Sequence, residues 1–129
     1  MNRPFHAAYH VCDLEQARTF YRDVLGCTEG RSTETWVDFD FFGNQLSLHV
    51  GTPFTTTRTG QVGDHKVLMP HIGVVLPLEE WLELADRLSR LGTTFEIPPV
   101  IRFAGEPGEQ RTMFFLDPSG NAIEMKSFA

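Results

Sequence analysis

FHAAYHVCDLEQARTFYRDVLG (residues 5–26) and PHIGVVLPLEEWLELADRLSRLG (residues 70–92) carry one pattern twice. Each opens with a short run of β-forming residues and then passes into helical spacing. In the first, Ala17, Phe20, Tyr21 and Val24 fall at i, i+3, i+4 and i+7, with Glu15, Arg18, Arg22 and Asp23 largely outside. This spacing predicts a helix capped by Asp13, with Gln16 as the second half of a capping box. In the second, Trp81, Leu84, Ala85 and Leu88 form the same apolar stripe. The two segments end alike, in Leu25-Gly26 and Leu91-Gly92, and glycine is the usual residue past a helix end.

Further strand-like runs follow each helix. They are TWVDFDFF (35–42) and NQLSLHV (44–50) in the first half, and FEIPPVIRF (95–103), RTMFFL (111–116) and NAIEMKSF (121–128) in the second. Laying the first strands together puts His6 opposite His71. Gly43-Asn44 then matches Gly120-Asn121, and four residues after each of these glycines stand Ser47 and Glu124. The reading is an α+β fold of two βαβββ modules, an internal repeat. The first module takes residues 1–50 and the second 69–129, in one compact two-module domain. Residues 51–68, GTPFTTTRTGQVGDHKVL, have no clear period and read as a linker.

Composition narrows the function. A chain of 129 residues, 41% apolar with eleven Phe, has ample material for a core. The formal charge of −6 argues against a nucleic-acid partner, which calls for a cationic face. No run of about 18 apolar residues is present, so no membrane span is expected. The N-terminus does not read as a secretory signal. Two cysteines, Cys12 and Cys27, make no disulfide framework, and a cytoplasmic location is the expectation. Cys12 is expected to pack as a small apolar residue.

Side chains alternate across a strand. His6, Ala8, His10 and Cys12 therefore share one face of the first strand, and Tyr9 lies on the other. His71, Gly73 and Val75 share a face of the matching strand, Ala122, Glu124 and Lys126 a face of the last, and Gln45, Ser47 and His49 a face of its counterpart. The helices suit the Ile72, Val74 and Leu76 side, which leaves His6 and His71 on the opposite, concave side. Two imidazoles and a carboxylate on matching strands make a facial triad for a divalent metal, with one side open. His6, His71 and Glu124 are the candidate ligands. Fe(II), Mn(II), Zn(II), Ni(II) and Co(II) all suit them, and no thiolate is required. His10 and His49 are candidate catalytic residues, as general base or substrate contact, against the plainer reading that they line a cleft wall. IRFAGEPGEQRT (101–112) reads as a solvated hairpin loop, or as a rim on which Arg102 or Arg111 meets an anionic substrate.

Three pieces carry a family resemblance: PFHAAYHVCDLEQARTFYRDVLGC (4–27), MPHIGVV (69–75) and FFLDPSGNAIEM (114–125). The chain resembles the vicinal oxygen chelate superfamily of glyoxalase I, extradiol dioxygenases, fosfomycin-modifying enzymes and bleomycin-binding proteins. The resemblance implies that the two modules form a cup-shaped mixed sheet around the metal, with His6, His71 and Glu124 on its metal positions. It also implies a homodimer. Glyoxalase-like members place a fourth ligand, Glu or Gln, where this chain has Ser47, a poor ligand and a candidate substrate contact. Gln45 or His49 reaches that place only if the strand register shifts.

The three-ligand count favours an extradiol-type dioxygenase with Fe(II), acting on a small-molecule substrate. A glyoxalase-like isomerase, a fosfomycin-type transferase and a non-catalytic drug-sequestering protein are the alternatives. Retention of all three ligands argues against the last.

Overall fold

The computed structural model describes residues 3–62 and 65–128, so Gly63 and Asp64 of the expected linker lie outside it. The chain divides into two compact units. One comprises Met1–Phe54 with Asp117–Asn121, and the other Thr55–Leu116 with Ala122–Ala129.

The first unit runs β1 (His6–Val11), α1 (Leu14–Arg18), β2 (Thr28–Ser32), β3 (Trp36–Phe41) and β4 (Asn44–Val50), in sheet order β1-β4-β3-β2. β1 and β4 are parallel, and the other pairs are antiparallel. Asp13 caps α1 by accepting from the Gln16 N–H. From Thr19 to Val24 the helix widens into a π-helical segment, a departure from the single α-helix that the spacing predicts. The buried stripe survives the change, with Ala17 and Tyr21 inside against Phe39 and Phe41.

Tyr21 ends in a buried polar network. Its hydroxyl donates to Asp117 at 2.8 Å and lies 2.7 Å from the Tyr9 hydroxyl. Asp117 also accepts from the Ser119 and Asn121 N–H groups and from the Asn121 side chain. Burial pushes the phenols of Tyr9 and Tyr21 up, so both are donors at any working pH. The expected apolar packing of Cys12 is not observed. Cys12 is exposed because it continues the face of β1 on which His6, Ala8 and His10 are exposed too; its backbone N–H donates to the Ser119 hydroxyl at 2.8 Å.

The second unit opens with a hairpin, β5 (Thr57–Val62) and β6 (His65–Met69), inside the stretch read as a linker. Then come β7 (His71–Ile72), α2 (Leu78–Arg90), β8 (Phe95–Arg102), β9 (Gln110–Leu116) and β10 (Ala122–Ser127), in sheet order β7-β10-β9-β8. β7 is shorter than the run HIGVVL suggests, and only an isolated parallel bridge from Val75 to Lys126 continues it. α2 buries Trp81, Leu84, Ala85 and Leu88, the predicted stripe, and the Trp81 indole donates to the Met125 carbonyl. Gly26 and Gly92 close the two helical segments at the same positive φ of 79°. The opposite sheet face is covered by β6, whose Val67 and Leu68 pack with Ile97, Phe114 and Ala122. Arg58 of β5 pairs with Glu96 of β8 at 2.5 Å.

Both sheets thus have one topology and one register. His6 sits beside Gln45 in the first and His71 beside Ala122 in the second. That makes Ser47 the counterpart of Glu124.

Asp117→Ala strips an acceptor from four buried or half-buried donors on three residues, and leaving such groups unpaired costs about 1–3 kcal/mol each before relaxation. The expected loss is about 2–4 kcal/mol in urea unfolding, larger than that of Tyr21→Phe, which removes one donor. Equal losses would contradict this account of the network.

Candidate functional site

The second unit brings two of the expected ligands together. His71 Nε2 stands 3.3 Å from Glu124 Oε1. The other carboxylate oxygen accepts from Thr112 Oγ1 at 2.6 Å. His71 Nδ1 lies 2.6 Å from the Leu68 carbonyl, which only accepts, so Nδ1 carries a proton; Nε2 faces the carboxylate and donates to it when the ring is protonated. The Phe114 ring meets the imidazole edge-on, with centroids 4.8 Å apart. Each donor atom is therefore oriented from behind by a further group, the arrangement that holds metal ligands in place.

Gly73 makes this approach possible. A Cβ there would lie 1.5 Å from the Glu124 carbonyl oxygen, so any side chain would force β7 away from β10. Around the pair lies a cavity of about 200 Å³, lined by His71, Ile72, Gly73, Val74, Val75, Glu124 and Lys126. Lys126 Nζ is 4.0 Å from Glu124 Oε1.

Electrostatics follow from this geometry. The hydrogen bond to Glu124 pushes the His71 pKa up, against the effect of burial. Burial pushes the Glu124 carboxyl up, but hydrogen bonds from His71 and Thr112 and the charge of Lys126 together hold it below its usual value.

Arg102 shares this sheet face, since it pairs with Gln110, and Gln110, Thr112 and Phe114 alternate onto the side of Glu124. It is 7% exposed and its guanidinium lies over the Phe103 ring, so it is no solvated turn residue.

In the first unit, His6, His10 and His49 are all exposed. His6 and His10 share a face of β1, with Gln45 and His49 as their β4 partners. His10 Nδ1 lies 3.2 Å from the Thr52 carbonyl, and the His49 ring lies beside Trp36. Ser47 is buried and donates to Asp38 at 2.5 Å. Neither Gln45 nor His49 occupies the place equivalent to Glu124. Asn44 and Asn121, the matched residues of the repeat, serve different strand ends. Asn44 accepts from the Phe5 N–H, and Asn121 donates to the His10 carbonyl. Among the described residues, no group of three or more His, Cys, Asp or Glu side chains is arranged to hold a metal ion. His71 and Glu124 meet in the second unit, and His6 belongs to the first.

Residues 3–125 match the family model of the Glyoxalase/Bleomycin resistance protein/Dioxygenase superfamily. The chain belongs to this superfamily. A superfamily member from Alicyclobacillus acidocaldarius is 30% identical, with a TM-score of 0.80 over 99% of this chain and 93% of its own. The fosfomycin resistance protein of Listeria monocytogenes is 22% identical, with a TM-score of 0.74 over 100% of this chain and 95% of its own. A lactoylglutathione lyase from Agrobacterium tumefaciens is 19% identical, with a TM-score of 0.67 over 99% and 95%. At those last two identities the likeness shows the fold alone. No curated protein matches the chain in sequence. No helix among the described residues is long and apolar enough to cross a membrane.

Sequence reasoning did not single out Thr112, Asp38 or the Leu68 carbonyl. The signal for Thr112 is strand parity. On β9 it lies on the same face as Phe114, opposite Lys126 and one rung from Glu124.

The pKa directions set a pH dependence for the metal-free protein. The contribution of His71 is fully present below the ordinary imidazole pKa and is lost as pH rises through the raised value. The contribution of Glu124 is present above the ordinary carboxylate pKa and is lost as pH falls through the lowered one. In EDTA, the urea midpoint is therefore expected to fall as pH rises through the raised His71 value, and His71→Gln to flatten that slope. Metal affinity should rise over the same interval, because the His71 proton must leave. Identical slopes in wild type and variant would contradict the pairing.

Proposed function

We propose that this superfamily member is a metal-dependent enzyme acting on a small molecule with adjacent oxygens, with His6, His71 and Glu124 as the ligands of one divalent metal. The carrying observation is the His71–Glu124 pair, two donor atoms 3.3 Å apart and each oriented by another hydrogen bond. The donor set fits a borderline divalent cation. His6 completes it from the same chain or from a second copy, and a homodimer is the assembly we assign.

Extradiol-type ring opening of a catechol with Fe(II) is the reaction we favour. Ser47, the counterpart of Glu124, gives its hydroxyl to Asp38, which supports three protein ligands rather than four. The metal would supply Lewis acidity and, as iron, redox chemistry. The protein's own part is positional. Leu68 and Thr112 fix the two ligands of the second unit, and Phe114 backs the imidazole. His10 and His49 are the proposed acceptors for substrate hydroxyl protons. Arg102 is the proposed contact for an anionic substituent. Ser47 acts on substrate only through Asp38.

Elemental analysis of tag-free protein tests this directly. About one equivalent of iron per chain is expected after anaerobic reconstitution, with oxygen uptake on catechols, and both should vanish in Glu124→Ala and His71→Ala. One equivalent of zinc, nickel or manganese without oxygen uptake would overturn the dioxygenase in favour of isomerase or transferase chemistry. Failure to take up any of these metals would overturn the enzyme and favour a binding protein. Mixing His6→Ala chains with Glu124→Ala chains reads the assembly. Metal regained by the mixture means that sites are shared between two copies.

A further inference from the structure

Lys126 is the one charged side chain in the cleft of the second unit that the proposed metal set does not use, among the residues lining it. Its backbone is pinned on one side by the Val74 carbonyl, which accepts from the Lys126 N–H at 3.1 Å, and by the Leu76 N–H, which donates to the Lys126 carbonyl at 2.8 Å. On the other side it pairs with Thr112. It stands two residues after Glu124, so both side chains rise from one face of β10.

The ammonium is poorly placed to be merely the counter-ion of Glu124. At 4.0 Å it is well outside the roughly 2.7–2.9 Å of a charge-assisted hydrogen bond. Glu124 already has Thr112 on one oxygen and His71 on the other. The lysine side chain is one-third exposed and opens onto the cavity, while Glu124 is 6% exposed beneath it. A divalent cation on Glu124 would turn the neighbouring ammonium into a like charge. With neutral imidazoles, metal, carboxylate and lysine together leave two positive charges unmatched. A ligand carrying one or two negative charges on oxygen matches them, and a neutral diol does not.

Resting on the metal reading above, we propose that Lys126 is a specificity-determining residue that holds an anionic oxygen of the substrate beside the metal, so that the site selects small oxyanions such as carboxylates or ionised diols. Arg102, on the same sheet face, extends the preference for negative charge.

The test uses Mn(II) and then oxalate, a small dianion with adjacent oxygens, on wild type, Lys126→Met and Lys126→Arg, by calorimetry. In Lys126→Met, Mn(II) is expected to bind as tightly as in wild type or up to about tenfold more tightly, because a like charge has gone. Oxalate binding to the Mn(II)-loaded variant is expected to weaken by about tenfold or more, and Lys126→Arg to restore most of it. A lysine with a merely structural role would weaken both steps together, and that result overturns the proposal. Unchanged oxalate affinity in Lys126→Met overturns it as well. If wild type takes up neither Mn(II) nor Fe(II), Zn(II) or Ni(II), the metal reading itself falls and carries this proposal with it. Failure at the oxalate step alone leaves the metal reading standing.

Discussion

A carboxylate is costly to bury unless it is hydrogen-bonded and paired, and Glu124 is both. Its oxygens are divided between Thr112 on β9 and His71 on β7, so one side chain ties together three strands of the second sheet. This works only if β10 keeps its register against both neighbours. A slip of one residue would turn Glu124 toward α2 and put Ile123 or Met125 in the cleft. The rest of the unit serves that register. Trp81 anchors the Met125 carbonyl from behind, and Gly73 lets β7 close on β10. Val67 and Leu68 cover the front, where the Leu68 carbonyl also fixes His71.

The first sheet repeats the topology with different chemistry. Where the second has Glu124 beside His71 and Thr112, the first has Ser47 bonded to Asp38. A structural repeat thus carries an asymmetric pair of polar centres, one with a buried carboxylate acceptor and one with a neutral donor. The asymmetry is consistent with the short ligand set of the proposed function. The buried Tyr9–Tyr21–Asp117 chain holds the turn that leads into β10, so helix and turn are secured by one network.

Much of this was legible in the residues. The matched spacing of Ala17–Val24 and Trp81–Leu88 gave both helices, and the alternation of TWVDFDFF, NQLSLHV, RTMFFL and NAIEMKSF gave four strands, because each has one apolar face to bury. β2 was not legible, since TEGRS is an edge strand exposed along most of its length and needs no apolar alternation. The β5–β6 hairpin was hidden for a related reason. Among its described side chains, Val67 and Leu68 go to the core, two neighbours that set no period. Strand parity placed His71 and Glu124 on one face, but their contact depends on Gly73 and on the hairpin, which parity does not report. Parity grouped Cys12 with His6, Ala8 and His10, but that this face of β1 is exposed was not legible in it. The burial of Arg102 rests on cross-strand pairing that IRFAGEPGEQRT, read alone, did not reveal.

The most direct test of the central claim is anomalous diffraction from crystals soaked in Mn(II). One strong peak per chain is expected, at roughly 2.0–2.3 Å from His71 Nε2, a Glu124 carboxylate oxygen and an imidazole nitrogen of His6. His71 Nδ1 should still donate to Leu68, and Thr112 to Glu124. A crystal whose anomalous peaks lie elsewhere, with His71 and Glu124 still paired only to each other, would contradict it.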